Sequence, residues 1–269
     1  MKHNYLNLGC GNRFHNQWHN IDFISNNSHV KQHNLLKGIP FQANFFDVVY
    51  HSHVLEHFSK KDGEIFINEC FRVLKPNGIL RIAVPDLEMI AREYIKNLES
   101  ALAGEVNAKH NYEWILLEMY DQTVRKSSGG EMMNYLTKKE IKNEEYVFQR
   151  IGEEGRHIRK QLQAIKNNNG FLDQLKKLIV QIANGNMFIS KKKRAYYEIG
   201  KFRMSGEIHQ WMYDRYSLTN LLLQCGFMQV EVKNAFISKI PDWNSFELDS
   251  KDGVVFKPDS LFIEAVKKQ

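Results

Sequence analysis

Two glycines and an acid near the start of the chain could hold a nucleotide-like cofactor. A short apolar run leads into Gly9-Cys10-Gly11, where glycines leave room for a ligand to approach the backbone closely. Asp22 ends the next apolar run, where a carboxylate could accept both hydroxyls of a ribose. The acid comes 13 residues after Gly9, instead of about 20 in the dinucleotide fingerprint, and the third glycine of that fingerprint is missing. The motif alone is therefore not specific.

Histidines crowd into the first part of the chain and raise the question of a metal site. Eight of the 11 histidines fall in the first 57 residues, and His51 and His53 precede Glu56 and His57 closely. Alternate residues of a strand point to opposite faces, which would separate His51 from His53. The sequence shows no second cluster of ligands, so we expect no metal.

The elements that must position these residues have the pattern of a parallel α/β sheet. Short apolar runs alternate with helical spacing over the first hundred residues. Helices are predicted at 62–74 and from Pro85-Asp86 onward, and strands at 5–8, 19–23, 30–36, 45–50 and 79–84. After Gly11, only residues 12–17 precede Trp18 and the second strand, which is too short for a helix of average length. A shortened crossover explains both the missing third glycine and the early acid.

The chain changes character in its middle and returns to strands at its end. Residues 101–200 are polar and helical in pattern, and a hundred residues without strands are too many for a loop, so we predict a helical insertion or cap. A helix is predicted at 217–225, with Ser217 as N-cap and Gly226 as C-cap, followed by strands at 229–236 and 260–266. The predicted organisation is a cofactor-binding half at 1–100, the insertion at 101–200, and a completion of the first domain at 201–269 that carries candidate substrate residues.

Polar residues follow the third and fourth predicted strands, where ligands of open α/β sheets bind. Asn34 is followed by Leu35, so that a polar side chain and apolar neighbours could hold the edge and face of an adenine. His51, Ser52 and His53 follow the fourth strand. These residues are predicted to line the cofactor site.

Composition excludes several classes of protein. A hydrophobic content of 43% and a charged content of 25% over 269 residues are those of a soluble globular chain. No apolar run approaches the roughly 20 residues that span a bilayer, and the N-terminus lacks a signal-peptide pattern. The three cysteines are too few and too scattered for a disulfide framework. We therefore expect a cytoplasmic protein. The net charge of +6 is concentrated in one stretch that could hold phosphates or acidic lipid headgroups, or be a solvated helix face: Lys191, Lys192, Lys193, Arg194, Lys201 and Arg203.

Taken in order, several segments resemble class I S-adenosylmethionine-dependent methyltransferases. They are NLGCG, NID, LLKGIPF, FDVVYHSHVLEHF and NECFRVLKPNGILRIAVPDLE. Together with RMSGEIHQWMYDRYSLTNLLLQCGF and KPDSLFIEA, they resemble more narrowly a bacterial branch that often accompanies cell-surface polysaccharide genes. The resemblance covers residues 4–98 and 202–266. It implies a Rossmann-like, mostly parallel α/β sheet of seven strands, in which the last strand is antiparallel and the last two strands form an antiparallel edge, and S-adenosylmethionine as cofactor.

The resemblance also implies roles for individual residues. Gly9, Cys10 and Gly11 would surround the methionine part of the cofactor, and Asp22 would bind the ribose. Asn34 would approach the adenine, although this position is often Asp in the fold and Asn adds a donor to the acceptor.

The sulfonium of this cofactor is already an activated electrophile, so the protein must align an acceptor and, for a hydroxyl, remove its proton. His209 is the first candidate for the base, followed by Asp214 and Tyr213, and His57 is the second histidine candidate. The alternatives are that His209 and Trp211 only dock the insertion onto the sheet, and that His57 is satisfied by backbone at a helix start.

The predicted substrate residues lie in the same C-terminal run. Arg203 and Glu207 could orient a polar substrate, and Trp211 could stack on a sugar face. The leading function is methyl transfer to an oxygen, less favourably a nitrogen, of a small or glycan-type acceptor such as a nucleotide- or lipid-linked sugar, with a transient contact to a membrane-associated substrate allowed.

Two other functions compete with this one. The chain could be an RNA or protein methyltransferase that docks through the basic stretch, although nucleic acid is the less favoured partner, or a cofactor-binding regulator without catalysis. No proline is followed by cysteine, which disfavours methylation of pyrimidine carbon, and no Pro-Pro-aromatic run follows the fourth strand, which disfavours adenine amines. The sequence leaves the oligomeric state open.

Overall fold

A computed structural model describes residues 3–25, 27–168 and 191–268 of the chain. It divides into two compact units, Met1–Lys96 with His209–Gln269, and Asn97–Ile208. Part of the predicted 101–200 insertion, residues 169–190, lies outside the described residues.

The first unit is built on a seven-stranded sheet. The strands that form it in the order β3-β2-β1-β4-β5-β9-β6 are β1 (Tyr5–Leu8), β2 (His19–Asp22), β3 (Val30–Gln32), β4 (Phe46–Ser52), β5 (Leu74–Pro85), β6 (Phe227–Lys233) and β9 (Ser260–Lys267). Strands β3, β2, β1, β4 and β5 pair in parallel, and β9 is antiparallel to both β5 and β6. The prediction of a mostly parallel sheet with an antiparallel last strand is therefore confirmed. A two-stranded ribbon, β7 (Ser250–Lys251) and β8 (Val254–Val255), lies in the excursion before β9.

Parallel pairing brings the carboxyl ends of β1, β2 and β4 to one edge of the sheet. Leu8 pairs with Ile21 and with His51, so the residues after these positions leave the sheet side by side. The crossover from β1 to β2 contains only turns and bends, as its length predicts. Strand β3 ends at Gln32 instead of Leu36, because residues 35–37 form a short 3-10 helix.

Three helices accompany the sheet in this unit: α1 (Lys60–Val73), α2 (Leu87–Leu102, whose end enters the second unit) and the last helix, α7 (Arg215–Gln224). In α1, Phe66, Ile67, Cys70 and Val73 are buried, whereas Ile65 is exposed. The strand after α1 starts earlier than predicted, at Leu74, because the chain passes directly from the helix into β5.

The start of α7 corrects the predicted cap. Asp214, and not Ser217, is the N-cap residue, and its Oδ1 accepts the backbone N–H groups of Tyr216 and Ser217. Ser217 lies at the third helical position, where its side chain receives the N–H of Asp214 and completes a capping box. The helix ends at Gln224, with Cys225 at the C-cap and Gly226 just beyond it at φ +90°.

A buried ion cluster fastens the last strand and the excursion before it to the sheet. Arg81 on β5 is fully buried and pairs with Asp249 and Glu264, each at 2.8 Å. Its guanidinium also donates to the carbonyl of Asn234 and lies 4.4 Å from the ring centre of Trp243. A buried charge is tolerated when it is paired and hydrogen-bonded in this way.

The second unit is helical and has its own small core. Its helices are α2 from Asn97 onward, α3 (Ala108–Val124), α4 (Gly130–Leu136), α5 (Glu144–Asn168) and α6 (Lys191–Arg203). Trp114 is fully buried, and its ring N–H donates to Glu118 at 2.5 Å. Arg150 pairs with the same carboxylate at 2.6 Å. Helix α5 breaks at Gly152, whose φ is +65°.

Candidate active site

The glycine loop after β1 owes its two glycines to different causes. Gly9 has φ +62°, and a Cβ there would lie 2.3 Å from Cγ2 of Val54, so the loop that follows β4 excludes a side chain. Gly11 has φ +52° with open space around the missing Cβ. Only Gly11 therefore matches the predicted close approach of a ligand, whereas Gly9 is required by packing.

Asp22 is held against this loop by backbone groups. Its Oδ2 accepts the N–H of Gly11 at 2.8 Å, and its Oδ1 accepts the N–H of Ile24 at 3.1 Å. The carboxylate is half-buried, and each of its oxygens can accept a further hydrogen bond. This arrangement fits the predicted role of Asp22 as the acceptor for two ribose hydroxyls.

Cys10 and Asn34 have local partners. The Cys10 thiol is buried. Burial and, to a smaller extent, the charge of Asp22 raise the pKa of this thiol to about 12, which keeps it protonated and inert.

Asn34 Oδ1 accepts the N–H of Leu36 at 3.0 Å and so caps the 3-10 helix Leu35–Lys37. Asn34 therefore serves first as a cap, and its amide donors are what it could offer to an adenine ring. Leu35 beside it is half-buried.

The residues after β4 differ in how far they can meet a ligand. His51 is 0% exposed and its ring packs 5.1 Å from that of Phe66, so it has no accessible surface for the predicted cofactor contact. Burial lowers the pKa of His51 to about 4 although the charge of Glu56 opposes this, and its ring nitrogens make no hydrogen bond among the described residues. Ser52 and His53 are half-buried.

His53 bridges two parts of the sheet edge. It has a left-handed backbone, with φ +54°, and its N–H donates to the carbonyl of Ala83 at 2.8 Å. Its Nδ1 lies 3.2 Å from Oε1 of Glu56, and its Nε2 lies 2.8 Å from the hydroxyl of Ser260 on β9. His53 is thereby fixed between a buried acid and the antiparallel strand.

Glu56 is the centre of a buried cluster with His57 and His209. One ligand atom from each of these three side chains lies within 4.8 Å of the others. The rings of His57 and His209 meet edge to face, with centroids 5.0 Å apart. Burial by itself would raise the pKa of Glu56, but the contact with His53 and the charges of His53, His209 and His57 hold it well below its usual range. The carboxylate is therefore ionised at neutral pH.

Backbone hydrogen bonds bring the segment around His209 to this cluster. The N–H groups of Gln210 and Trp211 donate to the carbonyl of Glu56 at 2.8 and 3.3 Å, and the Gln210 side chain donates to the carbonyl of His57. Tyr213 forms an isolated parallel bridge with Asp86 at the end of β5. The structure thus brings His57, His209 and Tyr213 together at the carboxyl edge of the sheet.

Tyr213 and Asp214 have environments unlike that of His209. Tyr213 is 3% exposed, its hydroxyl has no hydrogen-bond partner among the described residues, and burial together with the charge of Glu56 raises its pKa to about 12. A phenol with this pKa is a proton donor at neutral pH. Asp214 uses Oδ1 to cap α7, which gives it a structural role apart from the predicted catalytic one.

The predicted substrate residues fall into both units. Trp211 is 39% exposed, and Nζ of Lys60 lies 5.2 Å from the centre of its ring. In the second unit, Glu207 accepts from Arg125 Nη1 at 3.2 Å and from the N–H of Gly129 at 3.1 Å. Arg203 is exposed at the end of α6.

Glu56 and Ser260 were not predicted as site residues. From the sequence, Glu56 is considered only as a possible metal ligand, because its position between two histidines does not reveal that it is buried. The signal that would have found it is an acid in an otherwise apolar turn, VLEHF, directly after a buried strand. Ser260 has no such signal, since only the antiparallel placement of β9 brings it to His53.

The strand order, the loop after β1 and the acid after β2 define a class I methyltransferase fold. Residues 19–82 match a family whose description is "Methyltransferase domain". This segment of the chain is therefore similar to a methyltransferase domain. A search of curated proteins found no match.

Solved structures that are similar to the chain include methyltransferases and a cyclase. A S-adenosylmethionine-dependent methyltransferase from Thermotoga maritima aligns over 100% of this chain and 84% of its own, with 12% identity and a TM-score of 0.40. Phosphoethanolamine N-methyltransferase 2 from Haemonchus contortus, in complex with phosphomonomethylethanolamine and S-adenosylhomocysteine, aligns over 100% of this chain and 50% of its own (11% identity, TM-score 0.37). The [4+2]-cyclase SpnF aligns over 30% of this chain and 38% of its own, with 21% identity and a TM-score of 0.26. The chain thus spans half or less of the last two relatives.

Proposed function

We propose that the enzyme transfers a methyl group from S-adenosylmethionine to an oxygen of a small or glycan-type acceptor. One observation carries this proposal: an ionised, buried Glu56 lies beside His57 and His209 at the carboxyl edge of the sheet. Asp22 and Gly11, which we propose bind the cofactor, lie at the same edge. A hydroxyl acceptor needs a proton acceptor in the transition state, and a histidine is the usual one near neutral pH.

In this reaction the acceptor oxygen forms a bond to the methyl carbon while the bond from that carbon to the sulfonium breaks. The electron pair of the broken bond stays on sulfur, which leaves neutral S-adenosylhomocysteine. The hydroxyl proton passes to the imidazole of His209 and later to water. The chain's task is to hold the acceptor in line with the methyl group and to receive this proton.

A glycan-type acceptor is the substrate class we favour. The exposed ring of Trp211 follows His209 by two residues and offers a face on which a sugar could stack. The segment that carries these residues also resembles the branch that accompanies polysaccharide genes, and we propose the same setting here. No helix among the described ranges could cross a membrane. We also propose that the protein is cytoplasmic and that it contacts a lipid-linked acceptor transiently.

A second candidate is RNA methylation, favoured by the surface of α6. Tyr196 and Tyr197 are exposed there, 62% and 66% respectively, between Arg194 and Lys201. Aromatic rings interleaved with cations are the pattern that binds single-stranded nucleic acid.

Incubation with methyl-labelled S-adenosylmethionine and separate glycan, lipid, RNA and protein fractions tests both candidates. We expect label in the glycan or lipid-linked sugar fraction, released as a methyl ether after acid hydrolysis. Label confined to RNA would replace the first candidate by the second. Binding of the cofactor without label in any fraction would favour a non-catalytic regulator.

A further inference from the structure

The side chain of Glu56 is a buried anion ringed by titratable groups. It is 0% exposed, and no arginine or lysine contributes to lowering its pKa. The groups that face it are His51 on β4, His53 after that strand, His57 on the same 3-10 helix, and His209 and Tyr213 on the segment before α7. A buried carboxylate is costly unless a positive charge or hydrogen bonds balance it.

The backbone makes the relation between Glu56 and His209 specific. The carbonyl of Glu56 accepts two consecutive N–H groups, from Gln210 and Trp211, directly after His209. His53 is anchored on its far side by Ser260, so the anion is held from two directions. The backbone hydrogen bonds to Glu56 and the contact between His53 and Ser260 do not involve the Glu56 carboxylate, so the carboxylate can be altered while the turn stays in place.

We propose that Glu56 is a positioning residue for the reaction, whose carboxylate orients the His209 imidazole and stabilises the imidazolium that forms when the acceptor gives up its proton. This inference rests on the proposed O-methyl transfer with His209 as base. The proton moves from the acceptor hydroxyl to His209, and Glu56 itself stays ionised throughout. The benefit comes from placing a fixed negative charge within 4.8 Å of a charge that develops only during reaction.

The same three groups could instead bind a divalent metal. Two imidazoles and one carboxylate are a ligand set that zinc and iron accept, and in the described part of the chain this is the set of ligand atoms that comes close enough. A metal would use the nitrogen that His209 needs as a base. The two interpretations therefore exclude each other.

The test compares Glu56→Gln and Glu56→Asp with the wild-type enzyme in methyl transfer to the acceptor found by the labelling experiment. Glu56→Gln keeps the shape and removes the charge, so kcat/KM at pH 7 should fall about 10- to 100-fold, in the range expected for a weakened general base. The acidic limb of its pH profile should move down by about one unit, because the imidazolium loses its anionic neighbour. Glu56→Asp should recover part of the rate.

Two controls separate this outcome from loss of structure and from a metal. Glu64→Gln removes an exposed carboxylate from α1 and should leave the pH profile unchanged. The Kd for S-adenosylmethionine should stay within about threefold in all variants, since Gly11 and Asp22, the groups proposed to bind it most directly, lie on other loops. If Glu56→Gln does not fold, the rate of Glu56→Asp decides the question, because a shorter side chain that keeps the charge but changes its position should still lower kcat/KM.

Three results would overturn the inference. They are an acidic limb that does not shift in Glu56→Gln, full methyl transfer in both Glu56 variants, or wild-type activity that EDTA abolishes and Zn²⁺ or Mn²⁺ restores. Each of these presupposes an active wild type. An enzyme that labels no hydroxyl acceptor at all would refute the proposed function instead.

Discussion

The carboxylate of Asp22 accepts the backbone N–H of Gly11 at 2.8 Å, which joins the carboxyl ends of β1 and β2 at one edge of the sheet, where we propose that the cofactor binds. The bond has two consequences. It orients an acid where a ribose would lie, and it fixes a glycine whose left-handed backbone has open space beside it. Cofactor affinity should therefore depend on this acid more than on any neighbouring charge.

Replacing Asp22 by Ala should weaken S-adenosylmethionine binding about 10- to 100-fold, since a charged hydrogen bond contributes about 1.5–3 kcal/mol. Isothermal titration calorimetry measures this directly. The matched control is Asp252→Asn, which changes an exposed acid in the β7–β8 turn and should leave Kd unchanged. Equal affinities of the Asp22 variant and the wild type would remove Asp22 from the cofactor site.

The two glycines of the same loop should respond differently to alanine. Gly9→Ala drives a Cβ to 2.3 Å from Val54 at a positive φ and should destabilise the fold by about 2–4 kcal/mol. Gly11→Ala meets open space and should cost only the backbone strain of about 1–2 kcal/mol. Urea denaturation of both variants, and of Gly9→Ala combined with Val54→Ala, checks the cause. If the double variant recovers no stability, Val54 is not the reason for Gly9.

Arg81 is expected to be the most sensitive charged residue of the sheet. Arg81→Met leaves Asp249 and Glu264 buried without their shared cation, which should cost about 3–5 kcal/mol. Lys75→Met removes a partly exposed partner of Asp47 and should cost about 0–1 kcal/mol. Chemical denaturation of the two variants side by side gives the comparison. Similar losses would mean that the buried cluster contributes no more than a surface pair.

These contrasts show what could be predicted from the sequence and what could not. The strands of the first hundred residues and the short first crossover can be predicted from apolar runs and their spacing, which are local signals. Gly11 and Asp22 can be picked out locally too, by residue type and by their positions near apolar runs. The seven-stranded sheet with its antiparallel edge was implied only by the family resemblance. The reason why position 9 requires glycine could not be predicted. The side chain that excludes a Cβ there belongs to Val54, which is 45 positions away and meets Gly9 only after β1 and β4 pair.

The candidate catalytic cluster was found only in part, for a similar reason. Histidines and tyrosines can be picked out by type, so His57, His209 and Tyr213 were named. Whether an acid is buried depends on what covers it, and Glu56 is covered by residues distant in sequence, among them Tyr213 and the 209–211 backbone. Asp214 is the opposite case, since its residue type suggests chemistry and the structure shows in addition that it caps a helix.

The buried His51 should make stability depend on pH. Its pKa is about 4 in the folded state and about 6.5 when unfolded, so between these values the unfolded chain binds a proton that the folded chain does not. Stability should therefore fall as the pH drops through this window, with His51 accounting for about 2 kcal/mol between pH 7 and pH 5. Unfolding free energies from urea titrations at both pH values, for the wild type and His51→Phe, isolate this share. An identical pH dependence in the two proteins would contradict the burial of a neutral imidazole.

Asp214 allows a direct choice between a helix cap and a base. Asp214→Ser keeps a capping oxygen and should retain both stability and methyl transfer, whereas Asp214→Ala should lose about 1 kcal/mol of stability through the N-cap. His209→Asn, by contrast, should keep cofactor binding and lose methyl transfer about 100-fold or more, as removal of a general base does. Thermal melts, cofactor calorimetry and turnover on the same three variants check each expectation. Loss of turnover in Asp214→Ser with full stability would move the role of the base from His209 to Asp214, because a hydroxyl can cap a helix but cannot accept the acceptor's proton at neutral pH.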